Sequence, residues 1–202
     1  RRKIIKLGVF MLPSEIVNLV LLVLNAVISV LFVLCYTYQY VYAFIVMLTR
    51  PREHKGEIKK TRIAVLISAR NEEGVIGNLV DCLMAQDYPK ELTSVFVLAD
   101  NCTDKTAEVA RSRGATVYER ENKTLVGKGY ALDYLIARLD EDYGEDAFDA
   151  FLVFDADNLV EPNFLTEINK THSDGYEVVV GFRNTKNYGD NWISAGYGLW
   201  YM

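Results

Sequence analysis

The sequence predicts an α/β domain with a mainly parallel sheet and flanking helices, preceded by one transmembrane helix. Three features carry that expectation. Ile16–Leu48 is thirty-three residues without one Asp, Glu, Lys or Arg. From Arg62 onward, short apolar runs alternate with segments of helical periodicity, the pattern of βαβ units. Phe151–Asn158 reads Phe-Leu-Val-Phe-Asp-Ala-Asp-Asn, an apolar run that ends in two carboxylates. Open α/β sheets place their ligands at such strand ends.

The uncharged run comes first. A helix of that length extends about 50 Å, against about 30 Å of bilayer hydrocarbon. One span suffices, with its core at Ile16–Cys35, and no turn signal divides the run into two. Tyr36, Tyr38, Tyr40 and Tyr42 suit an interface, and the helix has residues left over as far as Leu48. The run is far longer than the apolar part of a signal peptide. Residues 1–50 are therefore expected to form a membrane anchor and 51–61 a basic linker. Residues 1–62 carry ten Lys/Arg and three Asp/Glu, a net +7, while 63–202 carry twelve and twenty-four, a net −12. An acidic domain behind a basic, apolar anchor argues against nucleic-acid binding, which needs a basic face on the folded domain. Arg50, Arg52, Lys55, Lys59, Lys60 and Arg62 outnumber Arg1, Arg2, Lys3 and Lys6. The positive-inside rule then puts the domain in the cytoplasm.

In the domain, Ile63–Ser68 is a buried strand. Glu73–Ala85 is a helix through Val75, Ile76, Leu79, Val80 and Leu83. Ser94–Ala99 is the second strand. Asp104–Arg113 is a helix capped by Thr103 or Asp104 and ended by Gly114. Thr116–Tyr118 is a short strand, and Lys128–Leu139 is a helix followed by an acidic loop from Asp140 to Asp149. Phe151–Phe154 is a fourth strand, its unbroken apolar run suggesting burial on both faces. Pro162 opens a helix that fades near Ser173, Tyr176–Gly181 is a fifth strand, and Asn184–Met202 has no assignment.

The strand ends carry the chemistry. Ser68 and Ala69 are small enough to let a flat ligand approach the backbone. Asn71 suits the cap of the following helix, and Glu72 and Glu73 suit its N-terminus. Asp100, ending the second strand, can accept hydrogen bonds from a base or ribose. Gly127-Lys128-Gly129 opens a helix, where the glycines allow close approach, the helix N-terminus attracts anions and Lys128 adds charge. Asp155 and Asp157, spaced i, i+2, point to one side in extended backbone and can face one Mg²⁺ or Mn²⁺. The Lys128 loop is not a Walker A loop, since position 122 is Asn and Gly129 replaces the Ser/Thr. No Gly-x-Gly-x-x-Gly follows the first strand. Cys35, Cys82 and Cys102 lack metal-type spacing, His54 and His172 are isolated, and the Asn-x-Thr triplets at Asn101, Asn122 and Asn169 are common by chance. With strands ordered 3-2-1-4, the cleft falls beside Ala69–Glu72 and Asp155–Asp157.

Ser-Ala-Arg-Asn-Glu, Ala-Asp-Asn-Cys-Thr-Asp, Gly-Lys-Gly-Tyr-Ala-Leu and Asp-Ala-Asp, in this order and spacing, resemble the donor half of family 2 glycosyltransferases. These are GT-A enzymes such as the cellulose, chitin, hyaluronan and poly-N-acetylglucosamine synthases. The resemblance covers about 62–181. It implies that the Ala69–Glu72 turn, with Asn71, and Asp100 hold the nucleoside and that Lys128 lies near the base and diphosphate. Asp155 then contacts ribose or metal, and Asp157 ligates the metal. It implies a nucleotide-diphospho-sugar donor, a UDP-sugar first among them, and inverting transfer to a glycan or lipid-linked acceptor at the cell membrane. The usual Pro at the first strand's end is here Ser68 or Ala69. The family's acidic base motif and Gln-x-x-Arg-Trp motif do not occur in the 202 residues. The expectation is a domain over 62–202 that is incomplete at its C-terminus and inactive alone, its base lying beyond Met202. Inside the chain only Glu161 and Glu167, on the helix after the metal site, stand as poor candidates. Two rival readings are a sugar nucleotidyltransferase, disfavoured by the membrane span and by the absence of a Gly-rich, Arg-containing loop after the first strand, and a non-catalytic membrane protein that keeps the fold.

Overall fold

The computed structural model describes residues 14–49, 56–185 and 187–201. The basic residues before the apolar run, and Arg50, Arg52 and Lys55 after it, lie outside these, as does His54. The chain divides into two compact units, Arg1–Glu53 and His54–Met202. In the first, α1 (Ser14–Leu48) is a continuous 35-residue helix with no buried residue. It is long and apolar enough to cross a membrane. Phe32 stacks on Tyr36 and Tyr38 meets Tyr42 edge-on, each pair one helical turn apart.

The second unit contains β1 (Ile63–Ala69), α2 (Ile76–Met84), β2 (Thr93–Asp100), α3 (Thr106–Ser112), β3 (Thr116–Arg120), α4 (Lys128–Tyr143), β4 (Ala150–Asp155), α5 (Phe164–Ser173) and α6 (Trp192–Tyr201). The four strands form one parallel sheet in the order β3-β2-β1-β4, the order on which the expected cleft depends. Strand residues alternate between two faces, and each face has its own core. Ile63, Val65, Ile67, Val95 and Val97 pack under α2, α3 and α5 through Ile76, Leu79, Val80, Ala110 and Leu165. Ala64, Leu66, Phe96 and Leu98 pack under α4 through Ala131, Leu135 and Leu139. Burying the centre of the sheet from both sides makes β1 and β2 continuously apolar.

Several expectations change. β4 is an edge strand among the described residues, so it is not buried on both faces: Leu152 and Phe154 pack inward while Phe151 and Val153 are 43% and 47% exposed. An apolar residue on the open face hides this alternation in the sequence. α4 runs to Tyr143, four residues into the stretch read as an acidic loop. Arg138 pairs with Glu141 and Asp142 at i+3 and i+4 there, a spacing that favours helix. Tyr176–Gly181 forms no strand, and Val178 and Val180 are 85% and 79% exposed. β propensity is expressed only against a neighbouring strand, and β4 pairs with β1 alone among the described residues. The unassigned tail contains α6.

At the start of β1, Arg62 and Asp149 form a clamp. The Arg62 backbone N–H and guanidinium donate to the Asp149 carboxylate at 2.7–3.1 Å, and Asp149 N–H returns a bond to the Arg62 carbonyl at 2.8 Å. This sets β1 and β4 in register from their first residues. The Arg62 hydrogen bonds hold the Asp149 carboxyl down at about 2.

Candidate functional site

The polar strand ends gather at the carboxyl edge of the sheet. Register places Ser68 beside Asp155, Ala69 beside Ala99 and Asp100 beside Arg120. The face each residue takes follows from alternation with the core. Ser68, Asp100, Arg120 and Asp155 are each an even number of residues from a residue on the α4 side, so all four share that face. Ala69 lies on the other face, 1% exposed and packed with the α2 core. Its side chain is thus unavailable to a ligand, and Ser68, half-buried, is the small residue on the site face.

Lys128 opens α4 directly after Gly127, whose φ of 134° and ψ of 155° favour glycine. The Lys128 ammonium forms an ion pair with the Asp155 carboxylate, both about half exposed. The topology therefore brings together a phosphate-type lysine and a metal-type carboxylate that are 27 residues apart. The first turn of α4 also has N–H groups without intrahelical partners. A Cβ at Gly129 would meet nothing within 4 Å, so the approach to that turn is open.

Asp155 ends β4, and Asp155–Asn158 is a turn rather than extended chain: Asn158 N–H donates to the Asp155 carbonyl at 3.1 Å, and the Asn158 side chain bonds Asp155 N–H and the Asp157 carboxylate at 3.3 Å each. The i, i+2 argument from extended backbone fails here, although both carboxylates are exposed in one four-residue turn. No group of three or more His, Cys, Asp and Glu able to hold a metal occurs among the described residues. Two carboxylate donors suit Mg²⁺ or Mn²⁺ that takes its other ligands from phosphate and water. The donor set fits such an ion when it arrives with a phosphorylated ligand.

The β1–α2 turn is tied to the β2–α3 loop, not to its own helix. Asn71 takes a left-handed φ of 56°, which Asn tolerates, and its Oδ1 accepts the Thr103 N–H at 2.8 Å. It does not cap α2, which has no side-chain cap. Glu72 N–H donates to Thr106 Oγ1 at 2.8 Å. The Glu73 carboxylate accepts Lys105 N–H at 2.9 Å, so the helix N-terminus it serves is that of α3. The Thr106 hydroxyl holds the Asp104 carboxyl below its ordinary range.

Asp100 is 5% exposed and is paired with Arg120, a residue the sequence reading missed. Arg120 Nη1 donates to Asp100 Oδ1 at 2.6 Å and Nη2 to the Leu125 carbonyl at 2.8 Å. Asn101 Oδ1 accepts Asn122 N–H, and Asn101 Nδ2 donates to the Asn122 carbonyl. Two of the three Asn-x-Thr residues thus brace the loop that leads to Lys128. Counting alternate residues back from Asp100 and across to the third strand would have found Arg120 once that strand's length was known. Glu161 precedes α5 and does not lie on it; its carbonyl accepts from Gln86 Nε2 at 2.8 Å, while Glu167, on α5, is paired with Lys170.

A family model described as glycosyltransferase like family 2 matches residues 61–202. Over 135 residues, 63% of this chain and 27% of the relative, the chain is 32% identical to beta-monoglucosyldiacylglycerol synthase of Nostoc sp.. Over 68 residues, 34% of this chain and 17% of the relative, it is 44% identical to 4,4'-diaponeurosporenoate glycosyltransferase of Staphylococcus aureus. The matched stretch spans about a quarter or less of these relatives' lengths. Among solved structures, a mannosyltransferase from Pyrobaculum calidifontis in complex with GDP-Man and Mn²⁺ superposes with TM-score 0.59 at 21% identity, over 85% of this chain and 50% of that one. S. aureus TarS superposes with TM-score 0.51 at 18% identity, over 64% and 38%. At these identities the structural likeness is one of fold.

Proposed function

The chain belongs to glycosyltransferase family 2, and on that premise we propose that the carboxyl edge of its sheet binds a nucleotide-diphospho-sugar for inverting transfer at a membrane. The observation that carries this is the meeting of Lys128, at the start of α4, with Asp155, at the end of β4, on the face shared by Asp100. A nucleoside set against Asp100 and the β1–α2 turn with Asn71 and Glu72 would send its diphosphate toward the first turn of α4. There Lys128 exchanges the Asp155 carboxylate for phosphate oxygens. Asp155, so released, is available to the ribose or, with Asp157, to a divalent cation. Bound Mg²⁺ or Mn²⁺ supplies charge neutralisation of the departing diphosphate. An acceptor hydroxyl, giving its proton to a carboxylate base, attacks the anomeric carbon from the side opposite the nucleotide as the bond from that carbon to the diphosphate oxygen breaks and the nucleoside diphosphate departs.

Of the two acceptor classes, the lipid-linked one has more support. One relative is named for diacylglycerol, and α1 would hold the protein at a membrane. By the positive-inside rule the domain is cytoplasmic; protease added outside intact cells then leaves His54–Met202 uncut, and cleavage there would reverse the topology. The donor site is tested by calorimetry on the 202-residue chain in detergent with UDP and GDP, with and without Mn²⁺. The expected result is Mn²⁺-dependent binding that Asp157→Asn weakens by at least about tenfold while circular dichroism stays unchanged. Undiminished binding in the folded variant would remove Asp157 from the site.

A further inference from the structure

We propose that Arg120 is the positioning residue of the nucleoside end, holding Asp100 in the single orientation in which it reads the base. This deepens the donor-site reading and rests on it. Asp100 and Arg120 stand opposite each other in the β2–β3 register, and their side chains are 7% and 6% exposed. A buried ion pair loses about as much in desolvation as it gains in attraction, so an apolar pair would hold the sheet together equally well. Orientation is what the pair adds here.

The guanidinium is held from three sides. Nη1 donates to Asp100 Oδ1, Nη2 donates to the Leu125 carbonyl in the loop before Lys128, and the Tyr134 ring of α4 lies 5.6 Å from its carbon. The Arg120 carbonyl also accepts the Asn101 N–H at 2.8 Å, which fixes the chain after Asp100. A planar guanidinium so held can aim a carboxylate, whereas an ammonium on a flexible stem cannot span the same two acceptors. A carboxylate offers about four acceptor positions, and Arg120 Nη1 occupies one on Oδ1. In the proposed mode a base brought to the carboxyl edge uses one of the others. An acceptor-only group in a set direction selects bases that present N–H there and rejects those that present a lone pair. Diphosphate recognition at Lys128 is indifferent to this selection.

The test measures UDP, CDP, GDP and ADP binding with Mn²⁺, and inorganic pyrophosphate binding with Mn²⁺, on the 202-residue chain in detergent. The variant is Arg120→Lys, which keeps the buried positive charge. The expected result is a collapse of the affinity ratio between the best and worst nucleoside diphosphate by about tenfold or more, with pyrophosphate affinity changed less than about threefold. An unchanged ratio in the folded variant overturns the proposal. So does an equal loss for pyrophosphate and nucleoside diphosphates, the signature of a merely structural role, and so does a wild-type chain that binds all four equally. Should Arg120→Lys unfold, Tyr134→Leu removes the supporting ring without leaving a buried charge unpaired. It should narrow the ratio in the same direction, and an unchanged ratio there overturns the proposal. Absence of any nucleoside diphosphate binding by the wild type is a different failure, since it removes the donor site itself.

Discussion

Lys128 and Asp155 neutralise each other across the mouth of the site, so each competes with the other's proposed ligand. A cation held beside a carboxylate opposes the arrival of a second cation. Lys128→Met should therefore bind Mn²⁺ alone more tightly than the wild type and a nucleoside diphosphate less tightly, by roughly tenfold for loss of one charged phosphate contact. Titration calorimetry with Mn²⁺ alone and then with UDP or GDP separates the two effects. Weaker binding of Mn²⁺ alone by the variant would show that the ammonium does not guard the carboxylate. The candidate residues Asp155, Lys128 and Asp100 were legible because each ends or begins a regular element, where apolar periodicity breaks, and Asp157 because it follows Asp155 in the adjoining turn. Arg120 was not legible. Its partner lies 20 residues away, and the strand carrying it is two residues longer than its apolar pattern suggests.

The loop-to-helix junction at Gly127–Gly129 separates stability from function within one turn of α4. Gly127 has a φ of 134°, so Gly127→Ala strains the backbone by about 1–3 kcal/mol and should lower Tm. Gly129 is inside the helix with nothing within 4 Å of a Cβ. Gly129→Ala should raise Tm, since alanine is favoured over glycine by about 1 kcal/mol in a helix. The same methyl fills the space a diphosphate would use, so nucleoside diphosphate affinity should fall as Tm rises. Thermal unfolding followed by calorimetry on both variants checks the pair, and unaltered affinity in Gly129→Ala would place the phosphate elsewhere. The helix at Trp192–Tyr201 and the irregular Tyr176–Gly181 show the limit of reading elements locally. Three consecutive valines at 178–180 read as strand in any window, but a strand is a pairing, and that pairing is not a property of the window.

For the folded unit as a whole, acid stability should report the clamp between β1 and β4. The Asp149 carboxyl sits at about 2, below its unfolded range of about 3.9. A depressed carboxyl contributes stability that is complete above the unfolded pKa and lost as pH falls through the folded one. The Arg62–Asp149 contribution should thus be full above about pH 4 and fade toward pH 2. Asp149→Asn should unfold at lower temperature than the wild type at pH 7, and the gap between their Tm values should close between pH 4 and pH 2. A gap that stays constant over that window would mean that the clamp acts without its charge.

By itself the sequence determined the long apolar helix, the alternation of strands and helices as far as β4, and the polar residues at the ends of β1, β2 and β4. These follow from periodicity and composition within a turn or a pleat, which nearby residues set. Tertiary structure alone decided that β4 is an edge with one open face, that Ala69 turns into the core while Ser68 joins the site, and that Asn71 braces a neighbouring loop instead of capping its own helix. It also decided that Asp100 meets Arg120 and Lys128 meets Asp155. Each of these depends on which segments pair and in what register. That choice is made by burial of whole faces across dozens of residues, and no local pattern encodes it.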